Sequence, residues 1–428
     1  FRRGGDLLNR PPHEANVAEQ TEHSINGGGL KFDYFSPNEN HRFNVFASAQ
    51  HINRDSYYGP GDRDPLDAYG NTTDLNWMAG SQYVYSFGKC IFMPSDLTAG
   101  IEFNQDKLED NMWGYNRTVD QKVNIGSAFL QNEWKNDHWG FLIGGRLDKH
   151  NLIDHVIFSP RANLRYNPTE NINLRFSYSS GFRAPQAFDE DLHVENVGGN
   201  VAMVELADNL KEERSQSLSA SADIYHRFGA FQVNFLVEGF YTKLSDVFAL
   251  TDGEVVDGIL TRTRHNASGA QVLGLTLEGK MAYLNKIQVQ AGVTLQQSHY
   301  SKPHIWNKEA PAVKKMMRTP NTYGYFTATY TPIKPLSIAL SGTYTGSMLV
   351  PHEPVPGFLE NPITVNTKDF FDIGLKAAYD FKLYKSMNLQ VNAGIQNIFN
   401  AYQDDFDKGA DRDSGYIYGP SLPRSFFA

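Results

Sequence analysis

The sequence predicts an all-β fold, and specifically a transmembrane antiparallel β-barrel. Three observations lead to this prediction. Apolar and polar residues alternate with a period of two along many segments, short and long connections between these segments follow each other in turn, and no uninterrupted apolar run of about 18 residues occurs. The last observation excludes a membrane-spanning helix, so any crossing must use strands.

The period-two alternation is clearest in the second half of the chain. In segment 287–296 apolar residues occupy the odd positions, and glutamine, glycine or threonine the even ones. Segments 172–178, 336–344, 371–379 and 389–395 show the same pattern. Because successive side chains of a strand point to opposite faces, each segment is expected to be a strand with one apolar face. A soluble β-sandwich would also alternate, with its apolar faces turned inward.

The connection lengths separate a membrane barrel from a sandwich. Short, turn-like connections occur at 36–40, 135–137, 167–171, 227–229 and 332–335. Long polar connections occur at about 51–73, 109–120, 181–212, 246–267, 299–319, 347–366 and 401–414. Outer-membrane barrels have this asymmetry, with short periplasmic turns and long extracellular loops. Aromatic residues precede several short turns, as an interfacial girdle requires: Tyr166, Tyr225, Tyr283, Tyr330 and Tyr379.

Composition narrows the class of protein further. Aromatic residues make up 13% of the chain while the mean hydropathy is only -0.46, a mixture that suits a barrel with a lipid-facing and a lumen-facing side. The net charge of -9 argues against a nucleic-acid partner, which would need a basic face. A single cysteine, Cys90, excludes an intrachain disulfide and a cysteine-based zinc or iron–sulfur site. No nucleophile–base pattern stands out, so we do not expect an enzyme.

Five ordered segments between residues 181 and 427 resemble the landmarks of one family. Gly181-Phe182-Arg183-Ala184-Pro185 is similar to the FRAP segment that opens a long extracellular loop in TonB-dependent receptors. Segment 209–215, which includes Leu210 and Glu213, resembles the N-P-x-L-K-P-E-x-S return into the next strand, with Ala207-Asp208 in place of Asn-Pro. Segments 272–279, 396–400 and 423–427 resemble the remaining landmarks. The chain therefore resembles the C-terminal part of a TonB-dependent receptor, in a Bacteroidetes-like style.

This resemblance implies a 22-stranded barrel with an N-terminal plug and a TonB box that contacts the energy-coupling protein TonB. Counting from about Gly27 gives about seventeen strands, so about five would precede this chain. The chain opens without the features of a signal peptide. We expect residues 1–428 to form one outer-membrane β-barrel domain, a fragment that lacks the plug and the first strands.

The function that the resemblance implies is active, TonB-dependent transport of a scarce metal-containing nutrient across the bacterial outer membrane. Cobalamin, haem and ferric siderophores are the candidate substrates. Outer-membrane lipid is another expected partner, and a surface lipoprotein is a further candidate. Three alternatives remain: a passive porin, an outer-membrane enzyme such as a lipase or protease, and a glycan or peptide importer of the same receptor class.

Ligand capture is expected from the loops, because lumen-facing wall positions such as Gln288 and Ser337 are mostly short polar residues. The loops around 181–212, 299–319 and 401–414 are the candidates. His193 lies between the two best landmarks, where haem receptors of the family carry an axial ligand; it is either such a ligand or a solvated loop histidine. Exposed rings are expected to contact the ligand, and they are Tyr57, Tyr58, Trp113, Tyr115 and Trp306.

The loop before the last strand is rich in carboxylates. Asp405, Asp407, Asp411 and Asp413 alternate with other residues as calcium ligands do, although the spacing is not that of an EF-hand. We expect no required cofactor, with possible calcium in this loop. A solvated acidic loop facing cations at the lipopolysaccharide surface is the alternative.

Overall fold

The computed structural model describes residues 2–4, 9–15, 18–59, 64–197, 200–409, 411–420 and 422–428. Helices are short: α1 covers Asp189–Leu192, and 3-10 turns cover Pro12–Glu14, Pro65–Ala68 and Trp113–Tyr115. The strands are β1 (Arg2–Gly4), β2 (Ala18–Phe35), β3 (His41–Tyr58), β4 (Tyr69–Cys90), β5 (Met93–Met112), β6 (Arg117–Lys135), β7 (Trp139–His150), β8 (Ile157–Thr169), β9 (Ile172–Arg183), β10 (Glu195–Val197), β11 (Asn200–Leu206), β12 (Glu213–Phe228), β13 (Phe231–Ser245), β14 (Phe248–Val256), β15 (Ile259–Asn266), β16 (Ala270–Tyr283), β17 (Ile287–His304), β18 (Val313–Lys315), β19 (Thr322–Ile333), β20 (Leu336–Thr345), β21 (Leu349–His352), β22 (Ile363–Asn366), β23 (Phe370–Tyr384), β24 (Met387–Gln396) and β25 (Ser425–Phe427).

One 19-stranded antiparallel sheet dominates the molecule. Its strands pair in chain order, β1 to β9, then β12, β13, β16, β17, β19, β20, β23, β24 and β25. β18 is a short side strand on β17, and β1 has three residues. The other seventeen strands of the sheet agree with the predicted count, and the all-β prediction is confirmed.

The predicted alternation of short and long connections holds from β8 to β25, but it is not strict before β8, where two connections predicted to be long are shorter than expected. β3 continues to Tyr58 and β4 begins at Tyr69, so this connection is shorter than the predicted 51–73. β5 and β6 leave only residues 113–116 between them, instead of the predicted 109–120. The polar residues assigned to loops instead extend the hairpins, because ladder pairing satisfies their backbone groups outside the membrane as well as inside it.

The apolar strand faces point away from any core. Leu295 is 47% exposed and Val391 47% exposed, while Thr294, on the opposite face of β17, is buried. Within the described ranges the buried apolar clusters lie at the ends of strands and in the long connections. This arrangement excludes the sandwich, since an exposed apolar band on long strands requires lipid. None of the described helices is long and apolar enough to cross a membrane.

Two long connections build a second, four-stranded sheet, in the order β10–β11–β15–β14. The connection from β9 to β12 supplies β10 and β11, and the connection from β13 to β16 supplies β14 and β15. β11 and β15 pair in parallel from Val201–Ile259 to Leu206–Arg264. In the connection from β20 to β23, β21 and β22 form a hairpin. The long connections are therefore folded structures rather than open loops.

Candidate functional site

The two best sequence landmarks become neighbours in the structure. Arg183 ends β9 and Glu213 begins β12, and these residues are direct cross-strand partners. Arg183 Nη2 lies 2.5 Å from Glu190 Oε1, and its guanidinium lies 3.9 Å from the centre of the Phe188 ring. The remaining landmark residues pack or turn nearby: Phe182 and Ala184 join a buried cluster, Pro185 lines a cavity, and Leu210 closes a turn onto Ala207. The landmarks thus fix the base of the 184–212 connection.

His193 lies directly after α1, and the structure engages it within the protein. Its Nε2 is 3.0 Å from Glu19 Oε1 on β2, and its ring meets Tyr58 edge-on with 5.1 Å between the ring centres. The side chain is 33% exposed. His193 is therefore partly solvated, and one of its ring nitrogens is bonded to a carboxylate.

The five rings that we expected to be exposed differ in their burial. Trp113 is 69% exposed, as expected, and stands at the β5–β6 turn. Exposure is wrongly predicted for the other four, since Tyr57, Tyr58, Tyr115 and Trp306 are buried. The three tyrosines pack in one cluster with Met112, Val201 and Met203, because the longer hairpins bring the β3 and β5 ends together under β11. Tyr115 also donates a hydrogen bond to the carbonyl oxygen of Tyr58 at 2.8 Å.

The four aspartates of the last connection do not converge. Asp405 accepts hydrogen bonds from Tyr416 and Tyr418, Asp407 contacts His352, and Asp413 accepts from the backbone of Glu353. In the described part of the chain, no three His, Cys, Asp or Glu side chains are grouped to hold a metal ion. Three of these aspartates are thus engaged by protein donors, the backbone of Asp413 donating to Asp407 at 3.1 Å, and calcium binding by Asp405, Asp407, Asp411 and Asp413 stays a prediction.

Sequence reasoning missed the most extensive contact between loops, which surrounds Arg262 on β15. Its guanidinium contacts Glu195 Oε2 at 2.6 Å, Asp252 Oδ1 at 2.9 Å and Glu353 Oε1 at 3.4 Å. Asn307 donates to Asp252 and Glu353 at 3.2 and 3.0 Å. Together with Asp413 these residues form what we call the Arg262 cluster. It joins all five long connections that follow β9, and no spacing along the chain marks it.

Charge in the Arg262 cluster is unbalanced, because one arginine faces three carboxylates. Burial, assisted by the nearby charges of Asp252 and Asp413, raises the pKa of Glu353 to about 7 although Arg262 opposes the shift. The Glu353 side chain is 10% exposed. It therefore changes charge near neutral pH.

A second buried network, also not foreseen, anchors the 184–212 connection to the early strands. Arg117 Nη2 donates to Asp110 Oδ2 at 2.7 Å and to the carbonyl oxygen of Leu192 at 2.8 Å. Arg54 donates to Thr72 at 3.1 Å and to Asp189 at 2.6 Å. Helix α1, which directly precedes His193, is thus fixed to β3 and β6.

Three cavities lie among these packed connections. One of about 970 Å³ is lined by Tyr115, Arg117, Leu192 and Met203, and another of about 320 Å³ lies beside Arg54 and Phe188. The third, of about 570 Å³, opens beside Asp252, Asn307 and Glu353. These volumes are in the range that binds small molecules, and the linings include charged and polar side chains such as Arg54, Arg117 and Asp252. Cavities of this size between folded connections suit the binding of a small molecule.

The family model "TonB dependent receptor-like, beta-barrel" matches residues 3–398. No curated protein sequence matches the chain. Among solved structures, the siderophore receptor PirA from Acinetobacter baumannii is similar with a TM-score of 0.70 and 14% identity, over 95% of this chain and 62% of that one. The ferric-catecholate import receptor Fiu from E. coli K12 gives 0.67 and 13%, over 96% and 64%.

A third solved structure, the FrpB iron transporter from Neisseria meningitidis, gives a TM-score of 0.65 and 15% identity, over 98% of this chain and 64% of that one. The chain thus spans less than two thirds of the length of these structures, and at such identities the likeness concerns the fold. The membrane-facing barrel described above and the family match lead to the same conclusion: this chain belongs to the TonB-dependent receptor-like β-barrel family and lies in the bacterial outer membrane.

Proposed function

We propose that this chain is the barrel of an active, TonB-dependent importer of a metal chelate, with ferric siderophores, haem and cobalamin as candidate cargoes. The observation that carries the proposal is the joining of five long connections by the Arg262 cluster beside a cavity of about 570 Å³. Connections that are folded together can close over a ligand and hold it, which selective uptake of a scarce nutrient requires. A simple pore needs only an open rim.

The resemblance to solved structures supports a ferric chelate over the other cargoes. Two of the similar structures are described as a siderophore receptor and a ferric-catecholate import receptor. The haem alternative depends on His193, whose Nε2 is bonded to Glu19. We therefore propose the ferric siderophore first and haem after it. Coupling to TonB is part of the proposal.

Three alternatives remain, two from other classes of protein and one, a glycan or peptide importer, from the same receptor class. A passive porin would admit small solutes without saturation, a glycan or peptide importer would require a surface lipoprotein, and an enzyme would require a reactive centre. The packed long connections favour the importer over the porin. The described cavities are lined by groups suited to binding, which favours the importer over the enzyme.

Uptake measurements test the proposal directly. Cells that lack their own receptors and express the full-length protein are supplied with a radiolabelled ferric siderophore panel, haem and cobalamin in separate assays. We expect saturable accumulation of one ferric chelate. Arg262→Ala should lower this accumulation, whereas Lys368→Ala, at an exposed pair with Asp404, should leave it unchanged. Accumulation no greater than in cells without the protein, for every chelate tested, would reject the proposal.

A further inference from the structure

One row of residues crosses five neighbouring strands near the ends that carry the long connections. Cross-strand pairing places Gln216, Lys243, Gln271, His299 and Lys315 side by side, on β12, β13, β16, β17 and β18. We call these five residues the basic row. Directly paired residues of antiparallel strands point to the same face, so the whole row faces one side of the barrel wall.

The basic row faces outward, toward lipid. A second row lies two positions nearer to the short turns on β12, β13, β16 and β17. It consists of Leu218, Tyr241, Leu273 and Gln297, each paired with the next, and it continues to Tyr178 on β9. Leu218 and Leu273 are 40% and 58% exposed, as the lipid-facing band requires. Side chains two positions apart on a strand share a face. The basic row therefore lies directly beyond the last apolar row, whose two tyrosines suit the membrane interface.

The lysines of the row lack compensating carboxylates. Among the residues that the structure describes, neither Lys243 nor Lys315 takes part in an ion pair. Arg214 lies diagonally from Lys243 in the next row, at a spacing of about 7–8 Å. It bonds Glu212 at 2.8 Å, so its charge is partly compensated. Uncompensated positive charge at this level indicates an anionic partner.

A different sector of the same outer face shows the contrast. On β5 and β6, Lys107 pairs with Lys122, also on the outward side, but the adjacent row holds Glu109 and Asp120. Lys107 Nζ lies 2.5 Å from Glu109 Oε1. Lys107 is thus paired with a carboxylate within the barrel wall, and Glu109 and Asp120 occupy the row next to Lys107 and Lys122, whereas the basic row has only amides and a histidine between its lysines. The two sectors provide a matched comparison.

We propose that the basic row binds the phosphates of a glycolipid in the outer leaflet of the outer membrane. The side that carries the long connections faces outward from the cell, so the row meets the headgroups of that leaflet. Lys243 with Arg214 forms one basic pair, and Lys315 with His299 forms another. Their centres are three strand spacings apart, about 14 Å, so two phosphates can be held at once. The proposal does not depend on the cargo.

The test measures lipid bound to the purified full-length receptor. The double variant Lys243→Gln/Lys315→Gln is compared with Lys107→Gln/Lys122→Gln, which removes the same charge from the other sector. Bisphosphorylated lipid A is added in detergent micelles, and bound lipid is counted by native mass spectrometry. We expect the first variant to weaken binding about fivefold per lysine removed, and the second to leave it unchanged. The variant Lys243→Arg/Lys315→Arg should bind as the unaltered protein does, which separates lost charge from misfolding.

Three further arms identify the source of the phosphate. Lipid A without its phosphates should bind equally weakly to the unaltered receptor and to the Lys243→Gln/Lys315→Gln variant. Inorganic phosphate at millimolar concentration should not displace lipid A, and phosphatidylglycerol should bind more weakly than lipid A. Equal losses in both lysine pairs, or no loss in either, would overturn the proposal. So would displacement by inorganic phosphate, or preference for the phospholipid.

Discussion

Arg262 Nη2 and Glu353 Oε1 lie 3.4 Å apart although 91 residues separate them in the chain. Arg262 belongs to the four-stranded sheet of the long connections, and Glu353 follows β21 in another connection. Their contact, shared with Glu195 and Asp252, holds separate connections in one body. Ligand capture by the long connections, as proposed, depends on this body.

Replacing Arg262 by alanine should loosen the connections without unfolding the barrel. The change leaves Glu195, Asp252 and Glu353 close together without their cation, a situation that costs about 3–5 kcal/mol when a buried pair loses one partner. Hydrogen exchange across 246–269 and 346–369 measures the loss of protection. Lys368→Ala is the control and should change nothing. Unchanged protection in Arg262→Ala would show that the cluster does not hold the connections.

The protonation of Glu353 should make the packing of these connections depend on pH. Its folded-state pKa of about 7 exceeds the ordinary value of 4.5, so the folded form binds the proton more tightly. The resulting stabilisation is complete below about pH 4.5 and is lost as the pH rises through 7. Between about pH 5 and pH 8 we expect a decrease of about 2–3 kcal/mol in the free energy of local opening.

Exchange rates corrected for intrinsic pH dependence measure this decrease in the 346–369 connection. Glu353→Gln should abolish the pH dependence, since the side chain then carries no titrating proton. Glu360→Gln removes an exposed carboxyl from the same connection and should preserve it. A pH dependence that survives in Glu353→Gln would assign the effect to another group.

Two neighbouring rings should respond differently to truncation. Tyr115 is buried and bonds the Tyr58 carbonyl, so Tyr115→Ala should cost about 3–5 kcal/mol in local stability. Trp113 is 69% exposed, so Trp113→Ala should stay within about 0.5 kcal/mol and act on ligand affinity instead. Hydrogen exchange at 64–70 and titration with the transported chelate separate the two effects. Equal destabilisation by both changes would contradict this assignment.

His193 should not be a haem ligand. Its Nε2 is bonded to Glu19 and its ring packs edge-on against Tyr58, so coordination by that nitrogen requires breaking a contact between β2 and the 184–212 connection. Haem titrated into the receptor and into His193→Ala should give the same Soret absorption. A Soret band shifted only in the unaltered protein would show that His193 coordinates the iron.

The strand pattern and the landmark positions could be predicted from the sequence because both are local signals. Alternation along β17 reports its two faces directly, and the segments containing Arg183 and Glu213 were expected at the two ends of one long loop. The structure makes these two residues cross-strand partners. In this part of the chain the sequence landmarks and the observed strand pairing therefore lead to the same loop boundaries.

Burial and side-chain contacts in the long connections could not be predicted, since they depend on distant segments. Tyr57 and Tyr115 resemble exposed loop rings in the sequence, but the extended hairpins of β3 and β5 bury them beneath β11. Asp407 resembles a calcium ligand, yet it contacts His352, 55 residues earlier. Arg262 carries no local signal, because its three partners come from β10, β14 and the segment after β21.

The energy dependence of uptake shows directly whether this barrel serves active, TonB-dependent import. Accumulation of the transported chelate is measured in otherwise identical cells with and without the gene for TonB, across a range of external concentrations. We expect saturable accumulation that is lost when TonB is absent, while binding to the cell surface persists. Uptake that continues without TonB and rises in proportion to concentration would contradict active import and identify a passive pore.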